Sequence, residues 1–287
     1  MSNIPLFIFH LGNQEYFKKC IEINSKFNKI YLIGDDTNKY IQKLYNNVIH
    51  YDINIFNNTD IVRFKNCFKN YSLNPHDYEL NCFLRIFYLN ELIKKTSISA
   101  FFHLDSDCIL IEKIKNIKFK KNICYSLQNL LQQKNKFHMV GCIHNGLLNT
   151  TFCDTFIQLC FDIYENKSKF NLIEQKINWH KTNNIPGGIC DMTIYYLLYS
   201  EKLLEVSDLN EVIDVNNEEC VFDHNITSSY GYKGEHTYNI INRIKELKYI
   251  NNKYYIKTSD NKNIRALSLH FQGNSKQILE KLNINNF

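Results

Sequence analysis

Short apolar runs alternate with segments of helical spacing along the first half of the chain. The apolar runs predict strands at residues 5–10, 29–33, 48–51 and 98–104. The segments between them predict helices at residues 17–23, 40–45, 60–68 and 81–95. Strands that alternate with helices are typical of α/β proteins, so we expect a Rossmann-like, mostly parallel central sheet with helices on both faces.

The second half of the chain is more polar and ends in strands. Its patterns predict a strand at 139–149, a helix at 155–165, a mobile polar loop at 166–184, a helix from 191 to about 199, a hairpin at 249–256 around Asn251 and Asn252, a strand at 264–270 and a helix at 276–282. We find neither internal repeats nor a clear linker, so we expect a single domain over residues 1–287, with the hairpin as a C-terminal extension.

The charge balance and the cysteine content limit the kinds of ligand and the cellular compartment that we expect. The 34 Lys and Arg residues exceed the 29 Asp and Glu residues and are spread along the chain. This mild excess favours a phosphate-bearing ligand and argues against nucleic acid. The ten cysteines include no C-x-x-C pair, which indicates free thiols in a reducing compartment. With neither an export signal nor a transmembrane segment in the sequence, we expect a cytoplasmic protein.

The candidate chemistry centres on Asp105 and Asp107, which follow the apolar run 98–104 directly. In open α/β sheets, ligands bind beyond the carboxyl ends of the strands. Two carboxylates this close repel each other, and a divalent cation such as Mg²⁺ or Mn²⁺ would relieve that repulsion, often together with substrate phosphates. The alternative is a solvated turn in which Asp105 caps the next segment.

Other polar residues in apolar surroundings have two interpretations each. Arg85 is either a surface partner of Glu79 or Glu91, or a phosphate or sugar contact beside the acidic pair. Asp191 is either a helix cap or a carboxylate that meets an acceptor hydroxyl, and Gly187 and Gly188 before it permit close approach of a ligand.

The only tryptophan and the C-terminal segment are also open to two interpretations. Trp179 either stacks on a sugar or anchors its loop. The series His270, Gly273 and Lys276 suggests a phosphate cradle, in which the histidine completes a metal shell and the lysine adds a point charge. The alternative is an ordinary terminal strand followed by a helix.

Four motifs, in this order, resemble the metal-dependent nucleotide-sugar glycosyltransferases of the GT-A fold. They are most similar to family eight, the group of glycogenin and the lipopolysaccharide galactosyltransferases. The motifs are the arginine-bearing helix 84–92, the D-x-D of 102–107, the N-x-G of 144–149 and the H-x-x-G-x-x-K of 270–276. The last is the most specific, because it pairs with a D-x-D more than a hundred residues away.

This resemblance implies a transfer reaction. A sugar would pass from a nucleoside diphosphate, most readily UDP, to a hydroxyl of a glycan, lipid or protein acceptor, with Mn²⁺ or Mg²⁺ as cofactor. Asp105, Asp107 and His270 would bind the metal, and Asp191 would orient the acceptor or act as a base. The residues expected to bind the nucleotide-sugar are His10, Gly12, Asn13, Asp35, Arg85, Asp105, Ser106, Asn145, Gly273 and Lys276.

The chain departs from the family pattern at one position. The family carries D-Q-D where this chain has Ile189-Cys190-Asp191-Met192. The resemblance therefore gives only weak support for a reaction that retains the configuration of the transferred sugar. A bacterial and viral group of GT-A-like enzymes, with G-G-x-x-D-M-T and L-H-F-Q-G motifs, is a second resemblance. Two other classes stay open: a haloacid-dehalogenase-like phosphatase, which also has a D-x-D after an apolar strand, and a non-catalytic glycan-binding module.

Overall fold

A computed structural model describes residues 4–56, 58–128, 135–210, 212–215, 217–231, 237–251 and 253–282. Asn252, which we predicted at a hairpin turn, lies outside the described residues. The helices of eight residues or more are α1 (Glu15–Asn24), α3 (Thr59–Cys67), α4 (His76–Thr96), α5 (Thr150–Tyr164), α6 (Asn171–Asn183) and α7 (Asp191–Ser200). Two shorter helices are α2 (Ile41–Leu44) and α8 (Lys276–Glu280).

The central sheet has seven strands in the order β3-β2-β1-β4-β7-β6-β8. Its strands are β1 (Leu6–Phe9), β2 (Ile30–Gly34), β3 (Val48–Asp52), β4 (Ala100–Leu104), β6 (Cys124–Leu127), β7 (Gly141–Asn149) and β8 (Ser207–Asp208). The first four are parallel to one another, whereas β7 runs antiparallel to both β4 and β6. The predicted α/β fold with a mostly parallel central sheet is confirmed, although β4 has one antiparallel neighbour.

A second sheet shares an apolar core with one face of the first. It is built around β15 (Asn263–His270) and also contains β5 (Cys108–Leu110), β9 (Ile213–Asp214), β10 (Glu219–Phe222), β13 (Leu247–Ile250) and β14 (Lys253–Lys257). A separate pair consists of β11 (Ile240–Ile241) and β12 (Ile244–Lys245). Because β5 follows the acidic pair and pairs with the end of β15, His270 lies opposite Cys108. This pairing brings the end of the chain to the middle of the chain.

Side chains on the two faces of the central sheet enter different cores. On β1, Leu6 and Ile8 pack in one core with α1 and the second sheet, whereas Phe7 packs in the other core with α3, α4, α5 and α7. On β4, Phe101 and Phe102 divide in the same way. Because successive side chains of a strand point to opposite faces, this division places helices on both faces, as the sequence predicts.

One predicted element is wrong. The polar stretch 166–184, interpreted as a loop, contains the helix α6. Its apolar stripe is narrow, with Ile173 and Ile177 buried four residues apart and the stem of Lys176 buried between them. Among the described residues, no helix combines the length and apolarity required to cross a bilayer.

Candidate active site

The turn after β4 meets the end of β15 at Asp107. The backbone N–H of Phe271 donates to the carbonyl of Asp107 at 2.9 Å, which fixes the two segments side by side. The Oδ1 atom of Asp107 lies 3.4 Å from Nε2 of His270, and its Oδ2 atom lies 3.2 Å from Nζ of Lys276. The three residues that the sequence predicted to converge therefore lie within contact distance.

Charge dominates this contact. Burial acts to raise the pKa of Asp107, but the hydrogen bond and charge of His270 and the charge of Lys276 outweigh it and lower that pKa. Burial likewise acts to lower the pKa of His270, and Asp107 outweighs it and raises that pKa. The cluster is therefore a buried carboxylate between an imidazole whose pKa it raises and the ammonium group of Lys276.

A further layer of groups orients His270. Its Nδ1–H donates to the carbonyl of His224 at 2.6 Å, and its backbone N–H donates to the Asp223 carboxylate at 3.2 Å. Asp223 in turn forms a buried ion pair with Lys245. With Nδ1 engaged, Nε2 faces Asp107, which is the arrangement that metal-binding histidines have in proteins.

This orienting layer was missed in the sequence. The available signal was Asp223, which directly follows the apolar strand β10 in the same way as Asp105 follows β4. Lys245, its partner, lies in a polar segment that carries no recognisable pattern.

The other carboxylate of the acidic pair faces the opposite way. Arg85 donates from Nη1 to Oδ1 of Asp105 at 2.6 Å and from Nη2 to Oδ2 of Asp191 at 2.9 Å. Arg85 therefore bridges two carboxylates from different elements, and the alternative of a surface pair with Glu79 or Glu91 is wrong. Asp105 does not belong to the group of Asp107, Cys108 and His270, whose potential ligand atoms lie within 4.8 Å of one another.

Asp191 combines two functions at the start of α7. Its Oδ1 atom accepts from the backbone N–H of Met192 at 2.8 Å, so it holds an N–H of the first helical turn while it pairs with Arg85, and Cys190 occupies the cap position. Both functions use a side chain that is almost fully buried.

Glu79 is a second buried carboxylate close to Asp191, and the sequence did not single it out. Ser72 and Asn74 both donate to its Oε2 atom at 2.8 Å, while Oε1 has no hydrogen-bond partner among the described residues. Burial raises the pKa of Glu79, and the charge of Asp191 adds to that effect. The two carboxylates and the thiol of Cys190 form a group with potential ligand atoms within 4.8 Å.

Unpartnered polar atoms concentrate beside Asp105. Asn145 lies opposite Leu104 in the β4–β7 register and is fully buried, yet neither polar atom of its side chain has a partner among the described residues. The same holds for Nε2 of His103, Nε2 of His144 and Nε of Arg85. Buried polar groups are nearly always satisfied in folded proteins, so this cluster marks a place that a polar ligand or water completes.

The end of β1 gathers five of the ten residues predicted to bind the nucleotide-sugar, namely His10, Gly12, Asn13, Asp35 and Ser106. His10 contacts Ser106 through Nδ1 at 2.9 Å, and the backbone N–H of Gly12 donates to Asp35 at 2.7 Å. The hydroxyl of Tyr40 donates to Asn13 at 2.8 Å. Burial lowers the pKa of His10 to about 4, so this imidazole is neutral at physiological pH.

The predicted glycines differ in what surrounds them. Gly273 has a φ of 61°, and a Cβ there would meet nothing within 4 Å, so the backbone is open to a ligand. A Cβ on Gly188 would lie 2.0 Å from the carbonyl of Tyr71, and one on Gly187 would overlap the ring of His180. At Gly187 and Gly188 the space beside the backbone is therefore filled by His180 and Tyr71, and no ligand can approach closely there.

Trp179 packs within an aromatic cluster. Its ring centroid lies 5.7 Å from that of Phe137 and 4.9 Å from that of His138. These contacts tie α6 to the segment before β7, which favours the anchoring interpretation of this tryptophan.

The sequence matches no known protein family and no curated protein. Solved structures of GT-A glycosyltransferases are similar to this chain at low identity. Mouse xyloside xylosyltransferase 1 is 12% identical over 72% of this chain and 84% of that chain, with a TM-score of 0.45. The PaToxG glycosyltransferase is 12% identical over 69% of each chain, with a TM-score of 0.42. An active-site mutant of LgtC is 11% identical over 65% of this chain and 72% of that chain, with a TM-score of 0.39. Because these TM-scores lie below 0.5, the similarities assign neither a family nor a substrate to this chain.

Proposed function

We propose that this protein is a metal-dependent glycosyltransferase that moves a sugar from a nucleoside diphosphate, UDP by preference, to an acceptor hydroxyl. The observation that carries the proposal is the contact of Asp107 with His270 and Lys276, which lie 163 and 169 residues away. Each of these side chains is of a type that binds either a divalent cation or a phosphate.

The donor set at Asp107 fits a divalent cation. A carboxylate and an imidazole with its second nitrogen engaged suit Mn²⁺ or Mg²⁺, whereas Asp105, which we predicted as a further ligand, is held by Arg85 outside this group. The thiol of Cys108 is a poor ligand for such a cation, because burial raises its pKa well above the ordinary value. When bound, the cation would stabilise negative charge that develops on the leaving diphosphate.

The remaining residues would bind and orient the donor. Lys276, held over the ring of Tyr16 at 4.7 Å from its centroid, would contact the diphosphate, and the open backbone at Gly273 would let it approach. Asn145 and Arg85 would meet the hydroxyls of the donor sugar with polar atoms that are now unpartnered. Asp35, Gly12 and Asn13 would surround the nucleoside.

Asp191 would position the acceptor. Its carboxylate is fixed by Arg85 and by its own helix, so it can accept a hydrogen bond from a hydroxyl in a constant orientation. Because its two carboxylate oxygens are already engaged by Arg85 and by the backbone N–H of Met192, we assign it to orientation ahead of proton abstraction.

A phosphatase of the haloacid dehalogenase type would require a carboxylate free to attack phosphorus. Asp105 is paired with Arg85 and Asp107 with two cations, so the described contacts favour the transferase.

The test combines nucleotide binding with donor hydrolysis. We expect calorimetry to detect UDP binding with Mn²⁺ and weak or no binding without it, and we expect slow hydrolysis of at least one UDP-sugar. His270→Ala should reduce both by about 100-fold, as loss of metal-shell groups does elsewhere. His76→Ala, which removes an exposed histidine, is the matched control and should leave both unchanged. Metal-independent binding, or full activity in His270→Ala, would contradict the proposal.

A further inference from the structure

A row of cavities lies at the edge of the central sheet opposite the candidate active site. The central cavity, of about 360 Å³, is lined at the amino ends of β1 and β2 by Pro5 and Lys29 among others. It shares Phe27 and Lys113 with a cavity of about 550 Å³ beside the second sheet, and Ile4 with one of about 590 Å³ beside β7. The shared residues make the three cavities neighbours on one side of the molecule, and we call them together the basal groove.

The basal groove is separate from the site at Asp107. Pro5 lies at one end of β1 and His10 follows its other end, so the strand separates the two sites by roughly 16 Å at about 3.3 Å per residue. None of the residues that we assign to the metal, donor or acceptor lines the groove.

Positive charge dominates the walls of the basal groove. The cationic side chains that line it are Lys29, Lys113, Lys115, Lys121, Lys253 and Arg265. Among its described lining residues the one carboxylate is Glu112, which pairs with Arg265. Lys121 and Lys253 also have carboxylate partners, Glu205 and Glu218, which do not line the cavities. Lys29, Lys113 and Lys115 all line the central cavity, and among the described residues none of them lies within 4.0 Å of a carboxylate. A concave surface of one sign concentrates ligands of the opposite charge.

Apolar faces and neutral polar groups lie between these charges. Phe27 and Tyr31 line the central cavity, and Tyr249 and Tyr254 line the cavity beside the second sheet. At the other end, Ser99 and Thr151 offer hydroxyl groups. Sugar rings have apolar faces and hydroxyl edges, so this mixture matches a carbohydrate that carries anionic groups.

We propose that the basal groove binds an extended anionic glycan, with carboxylate or phosphate groups of the glycan at Lys29, Lys113 and Lys115. Three neighbouring cavities favour a chain over a single small anion, and their concave shape favours a chain over a flat membrane. The choice of a glycan rests on the proposed transferase function, since such an enzyme acts on sugar chains.

The test is direct binding of defined polymers to the full-length protein. Calorimetry with an alginate oligosaccharide should detect binding that weakens as salt is added, and a dextran of similar length should bind more weakly. Changing Lys29, Lys113 and Lys115 together to Gln should weaken alginate binding about 10-fold, from three exposed charge contacts. Changing Lys43, Lys65 and Lys202 together to Gln removes the same charge from other surfaces and should leave binding unchanged.

Three results would overturn the proposal: the protein does not bind alginate, it binds dextran equally well, or both triple variants weaken alginate binding equally. Tighter binding of oligodeoxythymidylate would replace the glycan with nucleic acid, and binding only to phosphatidylglycerol vesicles would replace it with a membrane. Binding of UDP with Mn²⁺, measured on the same variants, should not change, so failure of the groove and failure of the transferase site are distinguishable.

Discussion

The two carboxylates that follow β4 have the same residue type and nearly the same position in the chain, yet different partners. Asp105 pairs with Arg85 and, through it, with Asp191. Asp107 contacts His270 and Lys276, which come from the end of the chain. One carboxylate is thus joined to the helical layer and the other to the second sheet.

The comparison distinguishes a permanent charge pair from an exchangeable one. A guanidinium is always charged and donates to two carboxylates in a fixed plane, so the Asp105 side is a rigid frame. Imidazole can lose its proton and the lysine is half-buried, so a cation and a diphosphate could replace the partners of Asp107. We infer that the frame positions the site and the exchangeable side binds the reactive group.

The largest expected effect is a difference between substitutions of Asp105 and Asp107 in metal-dependent nucleotide binding. Asp107→Asn should weaken Mn²⁺-dependent UDP binding by about 100-fold, because it removes the one carboxylate near His270 within the described group. Asp105→Asn is the matched control and should weaken it by a smaller factor. Calorimetry with Mn²⁺ measures both, and an equal or larger loss in Asp105→Asn would contradict the division between frame and exchangeable side.

The pairing of Arg85 with Asp105 and Asp191 should contribute measurably to the free energy of unfolding. Arg85→Met leaves Asp105 and the buried Asp191 without their cation, and we expect it to lower the free energy of unfolding by about 3 kcal/mol. Chemical denaturation at neutral pH measures this loss. Arg63→Met, which breaks an exposed pair with Glu165, is the control and should change stability little. Similar losses in both variants would show that Arg85 is not a structural bridge.

Much of the fold could be predicted from the sequence because the first half repeats simple patterns. The apolar runs of β1, β2, β3 and β4 are short, buried and separated by helices, and the structure has strands at each of them. Helix α6 was missed because its few buried residues are spaced along a polar segment, and packing against α7, through the contact of Lys176 with Thr193, supplies what its own pattern lacks.

The sequence predicted which residues form the candidate site, but it did not predict which of them contact each other. Motif order indicated Arg85, Asp107, His270 and Lys276, but nothing in the sequence separates the partners of Asp105 from those of Asp107. Those partners lie 20 to 169 residues away in the chain, so only the tertiary fold decides which carboxylate meets which cation. Glu79 was overlooked for the same reason, because its burial beside Asp191 depends on the turn of Tyr71 and Ser72.

The smallest expected effect concerns Glu79, which lies on the frame side. Burial raises its pKa above the ordinary value of 4.5, so the folded state holds this proton more tightly than the unfolded state. The stabilisation from that proton is fully present below the unfolded pKa and is lost as pH rises through the folded pKa. Glu79→Gln keeps acceptors for Ser72 and Asn74 and removes a buried charge, so at pH 7 it should raise the free energy of unfolding by about 1 kcal/mol.

The pH dependence of that gain is the decisive measurement. Denaturation at pH 4 and pH 7 should show a larger gain for Glu79→Gln at pH 7, because at pH 4 the wild-type carboxyl is already protonated in the folded state. Glu174→Gln, which replaces an exposed glutamate on α6, is the matched control for the substitution itself. A loss of stability at pH 7 would show that Glu79 works as a charged carboxylate, and the frame would then hold three negative groups around one guanidinium.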